Sequence, residues 1–426
     1  MFAFARALFS FPPLVMLLLV GPLSAFAEEA ASSDGEAGFM SELDKFITEG
    51  KGYVSTRYRY ELVDQDGFEE DAKASTLRTR LGFVSGEVYG VSMKLEFEDV
   101  SPVGNDAYNS TVNGKTEYPV VADPDVTVVN EIYGQLNMIP DTSIRGGREA
   151  LNLDNQRFIG DVGWRQNNQT FDGANISNES LENLKLWYGY VGKVNRIFGP
   201  DSPVGTYNTN LNLFNVAYSG LDFLDAAVYS YIYDVKSNPD LSTTNFGGHL
   251  YGSYPVADEL DLLYDGEYAY QQDYEDNPKS FSVPYWRAEA GLGFGDFSAK
   301  AAYEVLGSDK GEAAFQTPFA TLHKWNGWAD KFLVTPDEGL QDAYGGLHYT
   351  LSDPCEHVTK LGADVVYHYF QSDYQSAKYG TEWDFNLGVD FLKYFYTGVT
   401  YAMYDAANFA TDTDKLIFTV QAVFRQ

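Results

Sequence analysis

Residues 381–391 read Thr-Glu-Trp-Asp-Phe-Asn-Leu-Gly-Val-Asp-Phe, with large apolar side chains at every second position. Residues 91–98, Val-Ser-Met-Lys-Leu-Glu-Phe-Glu, alternate in the same way. Because successive side chains of a β-strand point to opposite faces, this period predicts strands with one apolar face and one polar face. The fold therefore depends on half-polar strands.

The alternation recurs from residue 52 onward, in segments of about ten residues separated by Gly, Pro, Asn and Asp. It predicts strands near 52–62, 75–84, 88–99, 126–138, 142–148, 169–178, 184–194, 209–219, 222–233, 245–254, 259–271, 283–293, 296–306, 342–352, 358–370, 381–391, 393–403 and 413–424. About eighteen half-polar strands predict an all-β, transmembrane antiparallel barrel with an aqueous channel. Very short connectors alternate with long ones, which is typical of periplasmic turns and extracellular loops.

Composition favours this barrel over a soluble β-sandwich or propeller. The chain has 32 Tyr, 29 Phe and 6 Trp, although its mean hydropathy is only −0.29. Such an aromatic excess suits the two interfacial girdles of a membrane barrel. A formal net charge of −32 disfavours nucleic acid as a partner, since phosphate binding needs a basic face. The single cysteine excludes a disulfide framework and a Cys-rich metal site.

The N-terminus predicts export from the cytoplasm. Residues 1–27 contain one positive charge at Arg6, a short apolar run from Leu14 to Val20 and a terminal Ala-Phe-Ala, the layout of a secretory signal peptide. Residues 28–50 are interpreted as a periplasmic leader, in which apolar spacing predicts a short helix at 39–48. Residues 51–426 are then a single barrel domain.

The last strand supports a location in the bacterial outer membrane. Residues 416–424 alternate apolar side chains up to Phe424, a pattern typical of signals for the barrel-assembly machinery, although Arg425 and Gln426 follow it. The partners expected are therefore this machinery, outer-membrane lipid and lipopolysaccharide. The solutes expected are anionic oligo- or polysaccharides or small polar molecules.

Charged side chains on the strands are predicted to face the lumen, because a charge on the lipid face at mid-membrane costs about 2–4 kcal/mol. Arginine suits carboxylate and phosphate solutes, since its planar fork binds two oxygens. The predicted positive path comprises Arg57, Arg59, Arg78, Arg80, Arg145, Arg148, Arg157, Arg165, Arg287 and Lys324. The alternative is that lumenal charges pair across strands and stiffen the wall.

Two long connectors are too apolar to remain in water outside the barrel. Segment 149–168 contains Phe158, Ile159 and Trp164, and segment 315–336 contains several Phe and Trp residues beside His323 and Lys324. Both are predicted to fold into the pore and narrow it. Such a constriction sets which solutes enter.

Three segments resemble the alginate-export porin family of bacterial outer membranes: GREALNLDNQRFIGDVGWRQNNQTFDG (147–173), KVNRIFG (193–199) and FQTPFATLHKWNGWADKFLVTPDEGLQDAYGG (315–346). The resemblance implies an eighteen-stranded barrel that passes anionic alginate outward through an arginine-lined pore constricted by loops. The arginines of the family's GRE and GWRQ motifs correspond to Arg148 and Arg165.

The sequence thus predicts a channel for polar, anionic solutes, with alginate-like polyuronate export as its most specific form. The alternative is a general porin whose lumenal charges are structural. A less favoured class is an outer-membrane enzyme using a Ser/His or Asp/His pair, for instance at His368. We predict no catalytic residues, metal ligands or cofactor, because the five histidines lack metal-binding spacing.

Overall fold

A computed structural model describes residues 33–425, with side chains from residue 40 onward. One helix, α1 (Ser33–Thr48), precedes eighteen strands and contains the predicted helical segment 39–48. The strands are β1 (Lys51–Gln65), β2 (Ala72–Val84), β3 (Val91–Ala107), β4 (Val126–Ile139), β5 (Thr142–Glu149), β6 (Thr170–Leu181), β7 (Leu184–Asn195), β8 (Thr206–Leu221), β9 (Leu224–Tyr233), β10 (Thr243–Ala257), β11 (Leu260–Asp273), β12 (Ser282–Phe294), β13 (Phe297–Leu306), β14 (Leu340–Cys355), β15 (Val358–Gln371), β16 (Lys378–Phe391), β17 (Phe395–Ala406) and β18 (Thr413–Arg425). The predicted signal peptide lies outside the described residues. No helix within residues 33–425 is long and apolar enough to cross a membrane.

The strands form one closed antiparallel barrel. Each strand pairs with its neighbours in sequence, and β1 closes the ring against β18, with Tyr53 opposite Arg425 and Gln65 opposite Thr413. Full closure leaves no sheet edge with unpaired backbone groups, which a membrane requires. The predicted all-β barrel of eighteen strands is confirmed.

Strand ends agree with the sequence pattern except in β3. That strand continues to Ala107, beyond the predicted limit near residue 99. Its added residues pair with the first residues of β2, where Lys73 lies opposite Ala107. The added residues, Val100 to Ala107, include Pro102 and Gly104 and do not alternate. Pairing with a neighbouring strand, rather than their own pattern, makes them extended.

The two ends of the barrel differ in their connections. Residues 140–141 join β4 to β5 and residues 295–296 join β12 to β13, at the end that also carries the start of β1. Gly295 has φ of +52°, a conformation that suits the tight turn. The opposite end carries the long connections, including 108–125, 150–169 and 307–339. Short turns at one end and long loops at the other match outer-membrane barrels.

Apolar side chains cover the outside of the barrel. Val228, Leu250, Leu292, Leu347 and Phe385 lie on five different strands and are all exposed. On β1, by contrast, Val54 is exposed while Arg57 and Arg59 on the other face are buried. The charged face therefore turns inward, as the alternation predicts.

The two long apolar loops fold into the lumen and pack on aromatic side chains of the wall. The ring centroid of Phe158 lies 5.0 Å from that of Tyr229 and 5.7 Å from that of Tyr285. The ring centroid of Phe332, in the second loop, lies 4.5 Å from that of Phe370. Burial of these rings stabilises the inward position of both loops, and the predicted inward folding is confirmed.

A charge on the outer face is expected to prevent assembly. Leu347, in the middle of β14, is 65% exposed, so Leu347→Arg places a cation in lipid at a cost of about 2–4 kcal/mol. His348→Arg is the matched control, since His348 points inward and contacts Asp364 at 2.9 Å. Heat-modifiable gel mobility measures the folded fraction. Equal folded fractions for the two variants would contradict the assignment of faces.

Candidate functional site

The two inward loops, 150–169 and 307–339, contact each other directly. The Gly160 amide donates to the Phe319 carbonyl at 2.8 Å, and the Thr321 amide donates to the Gln156 carbonyl at 3.1 Å. The Thr321 hydroxyl also accepts a hydrogen bond from the Val162 amide at 3.1 Å. We call this pair of joined loops the constriction.

Trp164 is the centre of one side of the constriction. Its ring stacks on His323 of the other loop with centroids 3.5 Å apart. The guanidinium of Arg165 lies 4.1 Å and that of Arg59 5.3 Å from the Trp164 ring, within cation–π range. Arg59 also donates to the Trp164 carbonyl. Aromatic stacking and two cations therefore hold the first loop against β1.

Asp330 ties the second loop to the barrel wall. Its carboxylate lies 2.7 Å from His323 Nδ1, 2.5 Å from Lys415 Nζ on β18 and 3.8 Å from Arg165. Burial opposes ionisation, but His323, Lys415 and Arg165 together hold the pKa of the Asp330 carboxyl below its usual range. A depressed carboxyl pKa contributes stability that is fully present above the unfolded pKa and is lost progressively as the pH falls from there toward the folded pKa. The tie therefore persists at neutral pH.

Arg157 makes the most buried contact of the constriction. It is 1% exposed, and its guanidinium donates to Glu304 at 2.8 Å, Thr317 at 3.2 Å and Asn326 at 3.1 Å. It also lies over the ring of Trp325, with 5.3 Å to the centroid. One side chain thus joins the first loop, the second loop and β13.

Two further residues of the predicted positive path lie beside the indole of Trp325. Arg287 lies 5.2 Å and Lys324 Nζ 5.6 Å from the Trp325 ring. Arg287 is buried and forms an ion pair with Asp265. Lys324 is exposed and donates to the Asn155 carbonyl at 3.0 Å. Lys324 therefore offers its charge to the lumen.

The arginines of β1 and β2 form a cluster beside the first loop. Arg57 and Arg78 lie directly opposite each other in the strand register. Arg57 donates to Gln166 at 2.9 Å and to the Gly163 carbonyl at 3.0 Å, both neutral acceptors. Arg80 differs, because Glu98 lies 2.5 Å from its guanidinium. Like charges facing each other across strands are destabilising unless an opposite charge compensates them.

The two residues of the predicted path on β5 have different partners. Arg145 and Arg148 are three positions apart, and Gly147 between them has φ of +143°, which departs from a regular strand. Arg145 contacts Gln135 at 2.8 Å, whereas Arg148 holds Asp172 through two bonds of 2.6 and 2.9 Å. Of the two arginines singled out by family resemblance, Arg165 lies in the constriction and Arg148 lies in the wall.

Seven of the ten predicted residues have a carboxylate oxygen within 4 Å, and three do not. The paired residues are Arg59, Arg80, Arg145, Arg148, Arg157, Arg165 and Arg287. Within residues 40–425, Arg57, Arg78 and Lys324 have no carboxylate oxygen within that distance. The unpaired cations among the predicted path residues therefore lie in the constriction or beside it.

The sequence prediction missed several residues that organise the constriction. Asp123, from loop 108–125, lies 3.8 Å from Arg59 and 3.7 Å from Arg165 and accepts the Gln166 amide at 3.0 Å. Nothing in the local pattern marks Asp123. Lys415 could have been found, because it alternates with outward Leu416 in β18.

His368, the candidate for the enzyme alternative, lies in the barrel wall. Its Nδ1 is 3.0 Å from Asp342 and its Nε2 is 3.6 Å from Asp384. Both ring nitrogens therefore face carboxylates, so the structure brings an Asp/His pair together, but His368 and Asp342 are both buried within the wall. Across residues 40–425, no group of three or more His, Cys, Asp or Glu side chains is arranged to hold a metal ion.

No protein-family model matches the chain, and no curated protein sequence matches it. Solved structures do resemble it. OccAB2 of Acinetobacter baumannii aligns with a TM-score of 0.70 at 15% identity, covering 89% of this chain and 99% of that one. OccK9 (OpdG) of Pseudomonas aeruginosa aligns with a TM-score of 0.70 at 13% identity, covering 89% of this chain and 100% of that one. The structure of OpdK of Pseudomonas aeruginosa with vanillate aligns with a TM-score of 0.69 at 13% identity, covering 89% of this chain and 100% of that one.

These similarities establish the fold. OpdK is described as an outer membrane protein, and the eighteen-stranded closed barrel with an apolar outer face fits the bacterial outer membrane. The eighteen-stranded barrel expected from the family resemblance is therefore confirmed. The neighbouring structures do not support alginate as the solute, nor the more specific assignment to the alginate-export family.

Proposed function

We propose that this protein is a diffusion channel for small anionic solutes, carboxylates in particular. The observation that carries the proposal is that three cations in or beside the constriction, Arg57, Arg78 and Lys324, have no carboxylate oxygen within 4 Å among residues 40–425. In a narrow passage with low-dielectric walls, such charges raise the local concentration of anions. The vanillate complex of OpdK adds support, since vanillate is a small aromatic carboxylate.

A general porin with structural charges is the second candidate. Seven of the ten predicted path residues are paired with carboxylates, and buried pairs such as Arg157 with Glu304 hold loops in place. In that case the constriction limits size and the lumen has little preference for charge. The two candidates differ in ion selectivity.

Polyuronate export is the third and most specific form of the proposal. It needs a passage wide enough for a polymer, whereas hydrogen bonds join the two loops within the lumen. These bonds favour small solutes over a polymer. The three segments that resemble the alginate-export family, two of which contain arginine, are its remaining support.

Reversal potential in a planar bilayer under a salt gradient separates the candidates. We expect the purified channel to prefer chloride over potassium, and vanillate to reduce the single-channel current in a concentration-dependent way. Oligouronate of several sugar units is expected to leave the current unchanged. Preference for potassium would overturn the anion proposal, and block by oligouronate with no effect of vanillate would favour the polyuronate form.

A further inference from the structure

Helix α1 presents an apolar face that nothing in the described structure covers. Met40 is 61% exposed, Leu43 41% and Ile47 61%. Spacings of three and four residues place these side chains on one face of the helix. Ser41 and an ion pair between Glu42 and Lys45 at 2.5 Å lie away from that face. Exposed Asp44, four residues after Met40 and three before Ile47, borders the apolar face. The helix is therefore amphipathic, with an open apolar face that has one carboxylate at its edge.

The end of α1 is fixed to the lipid-facing side of the barrel. Gly50, just after the helix, passes so close to the ring of Phe83 that a Cβ atom on Gly50 would overlap it. Phe83 shares the outer face of β2 with exposed Leu81. The Gly86 amide, in the turn after β2, donates to the Phe46 carbonyl at 2.9 Å. These contacts place the end of α1 beside the lipid-facing surface of the barrel, at the end that carries the short turns.

We propose that α1 lies in the interface of the periplasmic leaflet, with Met40, Leu43 and Ile47 in the acyl region and the Glu42–Lys45 pair toward water. The occupant of the open apolar face is then lipid, because that face continues the belt to which Leu81 belongs. An amphipathic helix in this position inserts its apolar face about 5–10 Å into the boundary between headgroups and acyl chains. The helix therefore acts as a membrane anchor at the start of the barrel.

Site-directed spin labelling tests this position. Cys355→Ser removes the only native thiol, and Leu43→Cys or Ser41→Cys then carries a nitroxide on the apolar or polar face. The labelled full-length channel is reconstituted into vesicles of phosphatidylethanolamine and phosphatidylglycerol. Power saturation measures accessibility to oxygen, which concentrates in lipid, and to a water-soluble nickel chelate.

We expect the ratio of oxygen to nickel accessibility to be several-fold higher at position 43 than at position 41. Equal and high nickel accessibility at both positions would overturn the proposal, because the helix would then lie in water. Shielding of position 43 from both reagents, together with a doubled molecular mass in detergent, would also overturn it and indicate a second copy as the occupant. Heat-modifiable mobility confirms that each labelled variant is folded.

Discussion

Replacing Arg57 and Arg78 together with glutamine is expected to lower the chloride-to-potassium permeability ratio by at least about tenfold. A unit charge roughly 10 Å from a permeating ion contributes about 1–2 kcal/mol at an effective dielectric constant of about 20, and about 1.4 kcal/mol is a factor of ten. Neither arginine has a carboxylate oxygen within 4 Å among residues 40–425, so we expect their charge to be felt in the lumen although both side chains are buried. Reversal potential under a salt gradient measures the ratio.

A double variant at two exposed lysines, Lys51→Gln with Lys393→Gln, is the matched control. It removes the same number of charges, and both positions are exposed at the end of the barrel that carries the short turns. We expect its selectivity to stay close to that of the unmodified channel. If the arginine and lysine double variants shift the reversal potential equally, total charge rather than the constriction determines selectivity, and the proposal fails.

Arg157→Ala is expected to release the constriction and raise single-channel conductance. The substitution leaves Glu304 buried without its cation and also removes the bonds to Thr317 and Asn326. Breaking a buried ion pair on one side costs about 3–5 kcal/mol. Because strand pairing holds the barrel itself, we expect the lost free energy to destabilise the packing of the two loops rather than the barrel. Conductance in planar bilayers and tryptic cleavage after Arg165 or Lys324 report loop release.

Arg157→Met combined with Glu304→Gln separates lost charge from lost shape. The double variant removes both charges and keeps similar side-chain volume, and such replacements of a buried pair are often neutral. We expect its conductance and protease resistance to stay near those of the unmodified channel. If Arg157→Ala alone leaves both measurements unchanged, Arg157 does not hold the constriction.

The sequence pattern locates the strands because its signals are local. In β16 the apolar side chains at 383, 385 and 387 alternate with charged or polar ones, and the strand observed is Lys378–Phe391. The same period assigns faces, since Arg57 and Arg59 turn inward and Val54 outward. The apolar character of the two long loops correctly predicts that they fold inward.

Local sequence patterns do not predict which residues pair with the lumenal charges. Arg157 meets Glu304 across 147 positions of sequence, and Lys415 meets Asp330 across 85. The sequence marks Arg148 and Arg165 equally by family resemblance, yet the first is in the wall and the second in the constriction. Which arginines are neutralised depends on where each loop lies in the closed barrel.

By itself, then, the sequence determined the closed barrel of half-polar strands, its lipid and lumenal faces and the inward folding of two loops. A period of two residues and the cost of placing charge in lipid are enough for that. Only the tertiary structure decided that, within residues 40–425, Arg57, Arg78 and Lys324 have no carboxylate partner while the seven other residues of the predicted path do. The reason is that ion pairing depends on distances of a few ångströms between segments far apart in the chain, and closure of the barrel sets those distances.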